Sequence, residues 1–161
     1  MNWLPRTERA LTRFLEGMAS ACFLVLAGLV ITLVALRYVF NTTIIGGNEV
    51  TGYLFIYTTA LGAAVSVGNG QHIRVGVFVD ALPRRAGLLV DALALLLVLA
   101  LHAGLLWYSI EWITAVGGFT LTVVHIPQGV VQMAIPVGCG FVILFCLTRL
   151  AALIRALRAA G

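Results

Sequence analysis

There is no lysine in this chain; all ten basic residues are arginine. Charged residues make up 10% of the 161, against about a quarter in a soluble domain, which excludes an ordinary water-solvated surface. The three cysteines, Cys22, Cys139 and Cys146, sit in apolar runs without C-x-x-C spacing, so structural burial is expected rather than redox or metal work. No glycine-rich phosphate cradle, paired carboxylate or serine–histidine arrangement is present, which removes the common enzyme classes. A net charge of +4 and a pI near 9.4 could suggest nucleic acid, yet the arginines flank apolar runs instead of forming a patch with interleaved aromatics. Ser-, Gly- or Pro-rich linkers and fixed-period repeats are also missing.

What is present is hydrophobic: 61% of the residues, with a mean hydropathy of +1.08. The chain reads as an all-α integral membrane protein. One domain over residues 1–161 is expected to carry four transmembrane helices at about 17–40, 49–68, 86–110 and 128–148. Before the first span, Arg6, Arg9 and Arg13 recur three or four apart beside Leu11, Leu15 and Met18, the pattern of an amphipathic helix lying in the membrane interface. A signal peptide is the competing reading; residues 17–36 exceed a secretory apolar region and no cleavage site follows, so the first helix is kept. Arg149, Arg155 and Arg158 mark a second basic interfacial helix at the C-terminus.

Orientation follows from arginine placement, because basic residues are retained in the cytoplasm. A four-span arrangement puts every arginine except Arg37 on one side, so both termini are expected to be cytoplasmic. Helices one and two must form an antiparallel hairpin that brings Arg37 and Glu49 to the opposite side. There Glu49 either pairs with Arg37 or acts as a first-turn carboxylate favoured by the helix dipole, with Asn48 as N-cap. Thr58, Gly62, Ser66 and Gly70 put small side chains on one face of the second helix, for packing within the chain or against another subunit. His72 and Arg74 fall in a turn at the cytoplasmic edge. Trp107, Tyr108 and Trp112 form an aromatic belt, and residues 111–127 read as a long loop or short interfacial helix. The fourth helix is mildly perturbed by Pro136 and Gly138.

Chemistry inside the membrane is thin. Of His72, His102 and His125 only His102 lies within a span, so two haem ligands at one depth are missing and no cofactor or metal is expected. A transporter acting alone normally needs an ionisable group in mid-membrane, and the centres of spans one, two and four have none. The residues favour a membrane scaffold standing against a larger partner; a self-sufficient small transporter and a b-type cytochrome subunit are the alternatives.

A family resemblance extends this reading. Arg37-Tyr38-Val39-Phe40-Asn41, Glu49, Leu61-Gly62-Ala63-Ala64, Gly70-Gln71-His72-Ile73-Arg74-Val75 and Leu82-Pro83 resemble, in order, the small DctQ-like membrane subunit of TRAP transporters. Ile126-Pro127 and Ala134-Ile135-Pro136-Val137-Gly138 are similar to that family's fourth helix. The resemblance implies a non-catalytic small permease subunit of the bacterial inner membrane, in a symport system for organic acid uptake. It further implies a large elevator-type permease subunit that carries the sodium coupling, and a periplasmic substrate-binding protein. On that reading Arg37, Glu49, Thr58, Gly62, Ser66, His72 and Arg74 are candidates for contact with the large subunit or with membrane phospholipid.

Overall fold

A computed structural model describes residues 6–69, 84–121 and 123–159. Its elements are α1 (Arg6–Val39), α2 (Gly47–Asn69), α3 (Arg84–Val116), the short α4 (Gln128–Gln132) and α5 (Ala134–Ala159). Four stretches among the described residues are long and apolar enough to cross a membrane: Glu8–Val39, Gly47–Asn69, Ala86–Val116 and Gln128–Arg155. The described residues are thus helical apart from their turns, with four helices of the length and apolarity that the four-span expectation requires. At about 1.5 Å per residue, the longest helices exceed a hydrocarbon core of about 30 Å, so their ends project beyond it.

α1 is one uninterrupted helix, with no break between the expected interfacial segment and the span. The same is true of α5 at its C-terminal end. α3 continues past Ile110 to Val116, taking the start of the expected loop. The described residues of the rest of that loop fold back on themselves through backbone bonds. Leu121 donates to Ile126 (3.0 Å), Gln128 to Phe119 (2.8 Å) and Gly129 to Gly117 (2.9 Å). The fourth span breaks at Met133 because Pro136 has no N–H for the Gln132 carbonyl. Met133 keeps helical angles (φ −60, ψ −20), so the perturbation is mild.

Two neighbouring glycines shape the α1–α2 hairpin for different reasons. Gly46 has φ +82, and its carbonyl accepts the Val50 N–H at 3.0 Å, so the N-cap position is Gly46 and Asn48 lies inside the first turn. A β-carbon on Gly47 would lie 2.6 Å from Leu33 Cδ2, so a larger residue there would require the Leu33 side chain to move.

The helices pack in the order α1, α2, α5, α3: α1 against α2, α2 against α5, and α5 against α3. α2 and α3, adjacent in sequence, do not form a packed pair. α5 lies between them and is the central helix, with 39% of its most apolar window buried against 0% for α3. The core joins Leu15 of α1, Leu61, Ala64 and Val67 of α2, and Val142, Phe145 and Cys146 of α5. Lipid tails are as apolar as these side chains, so the core is held by close van der Waals fit more than by exclusion of water. Small residues at the crossings are what permit that fit. A β-carbon on Gly138 of α5 would lie 3.0 Å from Ala60 Cβ and 3.1 Å from its carbonyl oxygen.

Candidate functional site

Polar chemistry gathers in a junction at each end of the helix row and in one groove between them. At the end where α1 begins and α5 finishes, Gly68 closes the α2–α1–α5 contact. A β-carbon there would sit 2.9 Å from Thr12 Oγ1 and 3.2 Å from Phe145 Cε2. The Gly68 carbonyl accepts a hydrogen bond from Arg149 Nη2 of α5 at 2.9 Å. α2 has no basic residue in its own last turn, so the cation that favours the negative end of its dipole comes from a different helix. Asn69 Nδ2 donates to Glu16 Oε1, tying the end of α2 to α1 as well.

At the opposite end, Glu49 Oε2 accepts from Tyr53 Oη at 3.2 Å and from the Val124 N–H at 3.3 Å. Gly46 lies against Val123 and Val124. The α1–α2 turn and the turn after α3 therefore share one surface, on which His125 (φ +54) and Asn41 (φ +53) hold left-handed backbone. Tyr57 Oη donates to the Val130 carbonyl, fastening α2 to α4 just before the break.

Midway along the helices an apolar groove of about 270 Å³ opens between α2 and α3 over α5. It is lined by Phe55, Ile56, Thr59, Ala60 and Ala63, by His102, and by Ile135, Gly138, Cys139 and Val142. His102 Nδ1 is 2.9 Å from the Val98 carbonyl. A carbonyl cannot donate, so Nδ1 carries the proton and Nε2 is the ring's remaining polar corner.

The residues singled out in the sequence do not form one cluster. Glu49 is engaged by Tyr53 and Val124, while Arg37 is exposed; no ion pair joins the two among the described residues. Thr58 is half-buried and donates to its own helix at Leu54 (2.7 Å); Ser66 is also half-buried. Gly62 faces open space, with nothing within 4 Å of an added β-carbon. His72, Arg74 and Gly70 lie outside the described residues. No group of three or more His, Cys, Asp or Glu side chains could hold a metal among the described residues. Sequence reasoning took Arg149 for a mere orientation signal and did not single out Gly68, Tyr57 or Gln132. Gln132 is 3% exposed with neither side-chain amide atom hydrogen-bonded among the described residues, and in the sequence only its spacing of four from Pro136 marks it.

Residues 26–156 match the family described as tripartite ATP-independent periplasmic transporters, DctQ component. The chain belongs to that family. A Haemophilus influenzae protein assigned as a TRAP transporter small permease protein is 36% identical over 73 residues, 45% of this chain and 45% of its own length. The chain thus matches less than half the length of that curated relative. As a DctQ component the chain is a non-catalytic transporter subunit and a multi-pass membrane protein. The DctQ match takes in Glu49, the groove and Arg149, but begins after Thr12 and Glu16, so the α1 side of the terminal junction lies outside it.

Proposed function

We propose that this DctQ chain is the small permease subunit of a TRAP transporter in the bacterial inner membrane. It acts as one four-helix membrane domain with both termini in the cytoplasm. It assembles with the large elevator-type permease subunit, which takes up an organic acid delivered by a periplasmic binding protein and driven by sodium. Its own part is to brace the portion of the large subunit that stays still.

The observation that carries this reading is the family match over most of the chain, set beside a bundle whose polar side chains are spent on holding helices together. Arg149 fastens α5 to α2, and Glu49 fastens two turns to each other. Ionisable groups within membrane spans mark ion and substrate pathways. The mid-depth groove is instead apolar, with His102 its one ionisable lining group apart from the thiol of Cys139. Because Glu49 joins the two turns at the far end, they offer one continuous platform for the binding protein. Gly62, open on α2, and the exposed Arg37 remain candidates for the large subunit or for phospholipid, as do Thr58, Ser66, His72 and Arg74.

Reconstitution tests the proposal. Proteoliposomes holding this chain alone should take up no organic acid under a sodium gradient. Adding the large subunit and the binding protein should restore uptake, and uptake by this chain alone would refute the scaffold role. Reporter fusions at Thr43 and Phe119 should report the periplasm; cytoplasmic signal from either reverses the orientation.

A further inference from the structure

We propose that α4 is a latch at the entrance to the fourth span: it unwinds ahead of the rest of the bundle, pivoting at Met133, and so brings the buried Gln132 amide out to water. The inference rests on packing within this chain and not on the subunits it joins.

Three polar side chains are buried among the described residues. Two of them are satisfied by their own helix: Thr12 Oγ1 donates to the Glu8 carbonyl and Ser109 Oγ to the Leu106 carbonyl, each at 2.9 Å. Gln132 is the exception, with neither Oε1 nor Nε2 bonded among the described residues. A dry, unpaired amide raises the free energy of the closed position only, because water satisfies it in any open one. Gln132 is the fifth residue of the Gln128–Arg155 span, so it lies about 8 Å from the end of that span, within reach of water once α4 unwinds.

The backbone is built to part at the same place. Five residues are too few for a helix stable on its own, and α4 is cut off from α5 where Pro136 offers no N–H to the Gln132 carbonyl. It is held instead from outside. Tyr57 Oη donates to the Val130 carbonyl, and the Gln128 and Gly129 amides donate to the carbonyls of Phe119 and Gly117. Val131, buried beside Gln132, favours the closed form and the amide opposes it. The turn bonded to α4 is the one that Glu49 holds through Val124, so the latch lies between the surface shared by the two turns and the long α5.

Hydrogen exchange on the purified full chain in mild detergent tests this. The Val130 and Met133 amides, bonded to the Pro127 and Gly129 carbonyls, report on α4, and the Val142 amide reports on the middle of α5. In the wild type the α4 amides should exchange at least about tenfold faster than Val142. Gln132→Leu should slow the α4 amides by about five- to a hundredfold, the worth of an unpaired buried amide, and leave Val142 unchanged, since helices that separate in a micelle keep their own backbone bonds. Pro136→Ala is the second variant. It returns an N–H to the Gln132 carbonyl and joins α4 to α5, so it should slow the same amides with the Gln132 side chain intact. Equal exchange in α4 and α5 of the wild type, α4 exchange unaltered by either substitution, or equal slowing at Val142 in Gln132→Leu overturns the latch.

Discussion

Gly138→Ala should loosen the α2–α5 contact on which the row of helices depends. The added methyl would lie 3.0 Å from Ala60 Cβ, 3.1 Å from the Ala60 carbonyl oxygen and 3.3 Å from Ala60 Cα. Unstrained carbon–carbon contacts sit at about 3.5 to 4.0 Å, so the helices must part by a few tenths of an ångström. Even that small a parting weakens the dispersion contacts around it, including those made by Ala64 and Val142 in the core. Two of the three nearest atoms are backbone, so the strain cannot be relieved by a rotamer change. Overpacking of this kind costs about 1 to 3 kcal/mol. The assay is the rate at which maleimide labels Cys146, 1% exposed in the core, in the purified chain in detergent. Gly138→Ala should speed labelling by about five- to a hundredfold if opening is in rapid equilibrium. Gly62→Ala, with nothing within 4 Å, is the matched control and should label like the wild type. Equal labelling of Gly138→Ala and wild type, or faster labelling of Gly62→Ala, would refute the packing argument.

Other consequences follow from single residues. Gln132→Leu should stabilise the chain by about 1 to 3 kcal/mol, because it removes a buried amide with no partner; a lower midpoint in denaturing detergent would mean the amide is satisfied. Arg149→Met keeps the apolar stem but strips the Gly68 carbonyl of its charged donor, and should cost about 1.5 kcal/mol, seen as faster Cys146 labelling. Glu49→Ala should release the turn after α3 and raise hydrogen exchange at the Val124 amide by about two- to tenfold, since both hydrogen bonds to Glu49 are long and of modest strength. Gly62→Leu should leave the isolated chain folded; any loss of co-purification with the large subunit would place that face at the interface.

Some of this was legible residue by residue. Four apolar runs, each with an arginine beyond at least one end, mark four spans, because a charge in hydrocarbon is costly and backbone polar groups there must bond within a helix. Arg37-Tyr38-Val39-Phe40-Asn41 and Gly70-Gln71-His72 resemble DctQ, and the family match spans both stretches. The hairpin of α1 and α2 follows from their short link. The break at Met133 follows from Pro136. The close contact of α2 with α5 was hidden, and so was its seat at Gly138; Gly62, which looked like a contact residue, is open.

The physical reason lies in the solvent. In water a helix shows its buried face by contrast with a polar one, but in a bilayer the face toward lipid is as apolar as the face toward protein. Hydropathy therefore determined how many helices this chain has and where each lies along the sequence. Only the tertiary structure decided their order in space, with α5 between α2 and α3, because close fit at Gly47, Gly68 and Gly138 sets that order and apolar character does not. The same packing brought Arg149 to the Gly68 carbonyl and Glu49 to the Val124 amide across intervals of 81 and 75 residues, and left His102 facing a furrow.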